Sequence, residues 1–200
     1  TTMQSIVENT KAPIVFHILH DDTLNEMNKN KLSLIADNSG NGIEFHHFNP
    51  DIFGSLADSM NRFTIGTMFR IMLPDIMPDL KKIIYLDSDL FVNTDIEELW
   101  NLNIDNYCLA AAQDCSTIRN WGTPYAVAAG QTTRDRYFNA GVLCMNLDNI
   151  RKNGSLFQQV MDYLNDNPRT WLPDQDALNS IFSGETLLID EKWNYFIDEA

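Results

Sequence analysis

Asp87 and Asp89 stand one residue apart at the end of Lys82-Ile83-Ile84-Tyr85-Leu86. A short apolar run with β-branched residues and polar boundaries reads as a buried strand. Open α/β sheets bind ligands at the carboxyl ends of such strands. Two carboxylates leaving the sheet together offer hard oxygens that hold a divalent cation against a phosphate. The plainer alternative is a solvated turn in which Asp87 caps a local backbone donor.

The rest of the chain bounds that chemistry. Two hundred residues, 44% of them hydrophobic, suit one compact domain over 1–200. A formal charge of -14 argues against nucleic acid or an anionic membrane as the main partner. No apolar run approaches the roughly 20 residues of a membrane span. The first residues, Thr1-Thr2-Met3-Gln4-Ser5, lack a basic signal-peptide start. Cys108, Cys115 and Cys144 have no CxxC spacing and read as free thiols in a reducing compartment. The expectation is a cytoplasmic protein.

Helical and strand patterns alternate, which favours a layered α/β domain. Strands are expected at 14–19, 43–48, 82–86, 108–112, 137–146 and 186–189. Helices are expected at 2–9, from a cap at Asp22 or Thr23 to Ile35, and over 67–73 with a stop at Pro74 or Pro78. Further helices are expected at 95–100, from Asp148 to about Asn165, and over 173–182. Residues 115–136 read as a long loop. The four histidines, His17, His20, His46 and His47, read as structural or exposed. The tryptophans read as packing residues, with Trp121 also able to stack on a sugar.

Arg70 lies on an apolar helical pattern, where a guanidinium needs an anionic partner or must snorkel to a surface ion pair. A divalent ion at Asp87 and Asp89 would act as a Lewis acid on a nucleotide-diphosphate leaving group. Four segments in order, Met68-Phe69-Arg70-Ile71, Leu86-Asp87-Ser88-Asp89, Phe138-Asn139-Ala140-Gly141-Val142 and Asp174-Gln175-Asp176-Ala177-Leu178-Asn179, together resemble glycosyltransferase family 8. That family comprises retaining sugar-nucleotide transferases of GT-A fold, a Rossmann-like mixed sheet flanked by helices.

The resemblance implies Mn²⁺, with Mg²⁺ as a substitute, held by Asp87 and Asp89 against the diphosphate of a UDP-hexose. It implies donor contacts from Arg70, Asp87, Ser88, Asp114, Asn139, Ala140, Gly141, Asp174 and Gln175. Gly141 would let the backbone approach the sugar, and Asn139 would both donate and accept. Gln175 would lie beneath the sugar ring with Asp174. An amide is a poor nucleophile, so front-face displacement fits better than a covalent intermediate. Asp174 and Asp176 equally suit a helix N-terminus; Asp176 is assigned that role and Asp174 the functional one.

Two features of the family's pattern are missing. Its first strand with the nucleotide-binding loop, and its late His-x-x-Gly-x-x-Lys motif, have no counterpart here, so an excerpt of a longer catalytic domain is expected. The implied function is transfer of galactose or glucose from a UDP-sugar to a carbohydrate acceptor, a lipopolysaccharide or polysaccharide. The enzyme would be cytoplasmic and peripheral to the membrane through other segments. Two alternatives are a non-catalytic sugar-nucleotide binding domain and a haloacid-dehalogenase-like phosphatase. The phosphatase fits less well, because its Asp-x-Asp usually sits on the first strand and before Gly-Thr, not before Leu90-Phe91-Val92.

Overall fold

The computed structural model describes residues 1–54 and 65–196. The chain divides into two compact units, one of Thr1–Arg70 with Asp87–Glu98, the other of Ile71–Leu86 with Leu99–Ala200.

In the first unit, the helix Thr2–Asn9 buries Met3 and Ile6. β1 (Val15–His20) and β2 (Gly42–His47) pair in parallel, from Val15 opposite Gly42 to His20 opposite His47. Parallel neighbours require a crossover, and the helix Glu26–Asn38 provides it. Its cap is Asn25, whose side chain accepts from the Asn28 amide, not Asp22 or Thr23. A capping side chain must reach the N2 or N3 amide, and those two residues lie too far upstream. Asp21 instead accepts from the Thr23 amide and hydroxyl. The helix runs past Ile35 to Asn38, and Gly40, at φ 71°, turns the chain back toward β2. Phe48 stacks on Phe69 with centroids 4.8 Å apart.

The pattern at 67–73 forms a 3-10 helix, Ile65–Met72, followed by the short α-helix Leu73–Ile76. Pro74 does not stop it. It sits in the first turn, where its missing N–H has no helical partner to lose.

The second unit holds a sheet of β3 (Lys82–Leu86), β4 (Leu109–Gln113), β5 (Phe138–Asn146) and β6 (Thr186–Ile189) in the order β3-β5-β4-β6. β5 runs antiparallel to β3 and β4, while β6 is parallel to β4, so the sheet is mixed. Leu109 through Ala112 are wholly buried. The helix Pro173–Ile181 packs on β5, with Ala177 and Leu178 inaccessible.

Three further expectations fail in the second unit. Residues 115–136 are not one loop, since the helices Cys115–Asn120 and Tyr125–Ala128 lie within them. Both are too short to show an apolar period. The helix from Asp148 is two, Leu147–Lys152 and Leu156–Asp166, divided at Gly154 with φ 94° and recapped by Ser155. Trp100 and Trp121 are exposed, at 46% and 66%, rather than packed inside.

Candidate functional site

Asp87 directly follows the last residue of β3. Arg70 Nη2 donates to Asp87 Oδ1 at 2.8 Å, and Arg70 Nε donates to the Thr67 carbonyl at 2.8 Å. The guanidinium is almost wholly buried, while Asp87 keeps partial solvent access. Arg70 therefore has the anionic partner that its apolar surroundings require, and that partner is the first carboxylate of the pair.

The N-terminal helix holds the turn that carries the carboxylates. Thr2 Oγ1 lies 2.7 Å from the Ser88 carbonyl and 2.8 Å from that of Leu90. Ser5 Oγ accepts from the Val92 amide, and Asn9 Nδ2 donates to the Val92 carbonyl. These contacts fix the backbone on both sides of Asp89, whose side chain is exposed. Thr2, Ser5 and Asn9 escaped the sequence reading. Their signal, small polar residues on the buried side of a short helix, is common in any helix that meets a loop.

In the second unit, a buried polar network joins β4, β5 and the helix Pro173–Ile181. Ala111 pairs with Leu143 but Gln113 pairs with Phe138, so Ala112 alone faces residues 139–142. A bulge of this kind removes amides from the ladder, and buried amides need partners. Side chains provide them. Ala140 N donates to Gln175 Oε1 at 2.9 Å, and Gly141 N donates to Asn139 Oδ1 at 2.8 Å. Phe138 exchanges two hydrogen bonds with the Asn179 amide, each 2.8 Å long. The Asn179 side chain thereby replaces a strand neighbour.

Gln175 Nε2 donates to Asp114 Oδ2 at 2.8 Å and lies 3.2 Å from the Tyr137 hydroxyl. Asn139 Nδ2 donates to the same Asp114 oxygen at 3.3 Å, and Asn194 Nδ2 donates to Asn139 Oδ1. The other Asp114 oxygen caps the helix Cys115–Asn120 through the Thr117 amide. Asp114 is thus a strand-terminating turn residue and part of the cluster at once. Asp174, also buried, occupies the first turn beside Gln175.

Asp176 is not simply a solvated charge at a helix start. It is fully buried and accepts from the Ala126 amide, the Tyr137 hydroxyl and the Thr170 hydroxyl. Burial outweighs these donors and pushes its carboxyl above the ordinary aspartate value. The Tyr137 phenol is also raised, by burial first and the Asp176 charge second. It stays protonated, donates to Asp176 and accepts from Gln175. Among the described residues no buried side-chain nitrogen or oxygen lacks a partner. A shallow open groove is lined in part by Gln113, Cys115, Arg119 and Tyr195.

The structure therefore gathers the sequence-predicted residues into two sets. Arg70, Asp87, Ser88 and Asp89 belong to the first unit, and Asp114, Asn139, Ala140, Gly141, Asp174 and Gln175 to the second. Tyr137, Asp176 and Asn179 join the second set unforeseen. His17 and His46, read separately in the sequence, meet with ring nitrogens 3.0 Å apart. Among the described residues no helix is long and apolar enough to cross a membrane.

Comparison with known proteins gives this geometry its context. A Haemophilus influenzae protein named as a glycosyltransferase is 32% identical over 192 residues, covering 96% of this chain and 57% of that protein. General stress protein A of Bacillus subtilis is 29% identical, covering 84% of this chain and 58% of its own length. The chain spans about half the length of the curated relatives it matches. The galactosyltransferase LgtC, solved with donor and acceptor sugar analogs, superposes with a TM-score of 0.76 at 23% identity, over 90% of this chain and 74% of that one. GlyE of Streptococcus pneumoniae gives 0.69 at 23% identity, over 98% and 43%. The fold is accordingly GT-A, as the sequence predicts. The model of the family described as glycosyl transferase family 8 matches residues 1–199, and the chain belongs to that family.

Proposed function

We propose that this chain is part of the catalytic domain of a retaining glycosyltransferase that moves galactose or glucose from a UDP-sugar to a carbohydrate acceptor. The observation that carries the reading is the Asp87-Ser88-Asp89 turn. It leaves β3 with the Ser88 carbonyl held by Thr2 and its first carboxylate against Arg70. Two carboxylates one residue apart form an all-oxygen donor set, which suits Mn²⁺ or Mg²⁺. A bound Mn²⁺ supplies Lewis acidity toward diphosphate oxygens.

Arg70 adds a fixed positive charge beside Asp87 for a phosphate oxygen, and Ser88 contributes donor contacts from the same turn. Asp114, Asn139, Ala140, Gly141 and Asp174 contact the donor sugar, where a packed network holds each polar group before substrate arrives. Gln175 stabilises positive charge on the sugar by its amide dipole and forms no covalent bond. In the displacement, the bond from the anomeric carbon to the diphosphate oxygen breaks and its electron pair leaves with UDP. The acceptor oxygen bonds to the same face, and its proton passes to the departing diphosphate. Retention follows from attack on the face that the leaving group vacates.

A lipopolysaccharide or polysaccharide acceptor is the class we favour, with exposed Trp121 as a stacking surface. Such an enzyme works on the cytoplasmic side, at the membrane periphery. The test is release of UDP from UDP-galactose and UDP-glucose by the full-length protein, with Mn²⁺ and with a chelator. Release that needs Mn²⁺ and disappears in Asp87→Asn/Asp89→Asn supports the reading. Release that persists under the chelator contradicts the metal role, and Mn²⁺-dependent UDP binding without any turnover identifies a binding domain.

A further inference from the structure

The parallel pair β1 and β2 brings three ligating side chains to one face. His17 lies opposite Glu44 in the register, and Leu19 lies opposite His46. Alternation along the strands places His17, Glu44 and His46 on the same side. The other side carries Phe45 and His47, against which the His20 ring packs. Lys29 of the helix Glu26–Asn38 lies over Phe45 as well. That helix therefore covers the side away from the cluster.

His17 Nδ1 and His46 Nε2 are 3.0 Å apart, His17 Nδ1 and Glu44 Oε2 3.3 Å, and His46 Nε2 and Glu44 Oε2 3.8 Å. A tetrahedral zinc ion holds such donors at about 2.0–2.2 Å, which sets them about 3.3–3.6 Å from one another. The observed triangle brackets that spacing. Among the described residues this is the one group of three such side chains whose ligand atoms come so close.

We propose that His17, Glu44 and His46 form a binding site for a divalent transition-metal ion, Zn²⁺ above all, with the fourth position open to water. Two imidazoles and a carboxylate suit zinc, copper or nickel, whereas the all-oxygen pair Asp87 and Asp89 suits manganese or magnesium. The two donor sets sort metals by ligand type. An ion at this site ties β1 to β2 and stabilises the native state, because the unfolded chain does not hold the three ligands together. This proposal does not depend on the transferase reading.

The probe is Zn²⁺ alone, titrated calorimetrically into the full-length protein, with Co²⁺ absorption as a second readout. The expected result is one high-affinity Zn²⁺ per chain, a raised Tm, and the intense visible bands of tetrahedral Co²⁺. Affinity should fall more than tenfold in His46→Gln and in Glu44→Gln. It should hold in His47→Gln, on the opposite face, and in Asp87→Asn/Asp89→Asn. Absence of Zn²⁺ binding overturns the proposal, as does binding indifferent to His46 and Glu44 or lost with Asp87 and Asp89. Should a variant misfold, the Co²⁺ spectrum of the unaltered protein decides, since weak octahedral bands alone also overturn it.

Discussion

Arg70 and Asp87 face each other at 2.8 Å, a buried guanidinium against the first carboxylate beyond β3. The contact joins a helical segment to the turn that carries the proposed metal ligands. Arg70→Met removes the cation and its hydrogen bond to Asp87 Oδ1. Breaking a buried pair in this way costs about 3–5 kcal/mol, and the partial solvent access of Asp87 lowers the expected loss to about 2–3 kcal/mol. Urea unfolding measures it. A loss below about 0.5 kcal/mol would show the pair to be an incidental surface contact.

Gln175 occupies the centre of the second network, with Asp114 and Tyr137 on its nitrogen and the Ala140 amide on its oxygen. Gln175→Ala leaves a buried amide and a carboxylate oxygen short of partners, at about 2–3 kcal/mol of stability. If its dipole also stabilises the sugar cation, kcat falls by about 10²–10³ with KM nearly unchanged. A stability loss with kcat preserved would reduce Gln175 to a structural role.

Asp176 predicts a pH dependence of definite sign. Its folded carboxyl titrates above the unfolded one because burial disfavours the charge. The native state then binds the proton more tightly, so the stabilising contribution is complete below the ordinary aspartate value of about 3.9. It is lost as pH rises through the folded value. The stability of the wild type minus that of Asp176→Asn should therefore shrink from pH about 4 upward. A difference that grows with pH would mean that the three donors outweigh burial.

The thiols should divide by burial. Cys115 is exposed, whereas Cys108 is pushed up to about 12 and Cys144 to about 11, in both cases chiefly by burial. Thiolate is the reactive form. A thiol reagent at mildly alkaline pH should consume one group per native chain quickly and two more only on unfolding. Rapid reaction of all three in the native protein would contradict the packing of β4 and β5.

The strands were legible because each is a short apolar run with clear polar borders, and all six occur within a residue or two of their expected ends. The helix Pro173–Ile181 was equally plain from its proline start and acidic first turn. The short helices after Asp114 were not, since six residues or fewer carry no period and take their stability from a cap and neighbours. In the site, residue types at Asp87, Asp89 and Gln175 were readable, but their partners were not. The contact of Thr2 with Ser88 and Leu90 spans 86 and 88 residues in sequence. The assignment of Asp176 to a helix dipole missed its burial, because local position reveals a first turn and not what packs against it. The pairing of His17 with His46 likewise depends on the register of β1 and β2.

The most direct test of the central claim is calorimetric titration of UDP into the full-length protein, with and without Mn²⁺, beside Asp87→Asn/Asp89→Asn. The expected result is UDP binding that requires Mn²⁺ and is lost in the double variant while the fold and the Zn²⁺ response persist. UDP binding of equal strength without the metal, or unaffected by loss of both carboxylates, would contradict it.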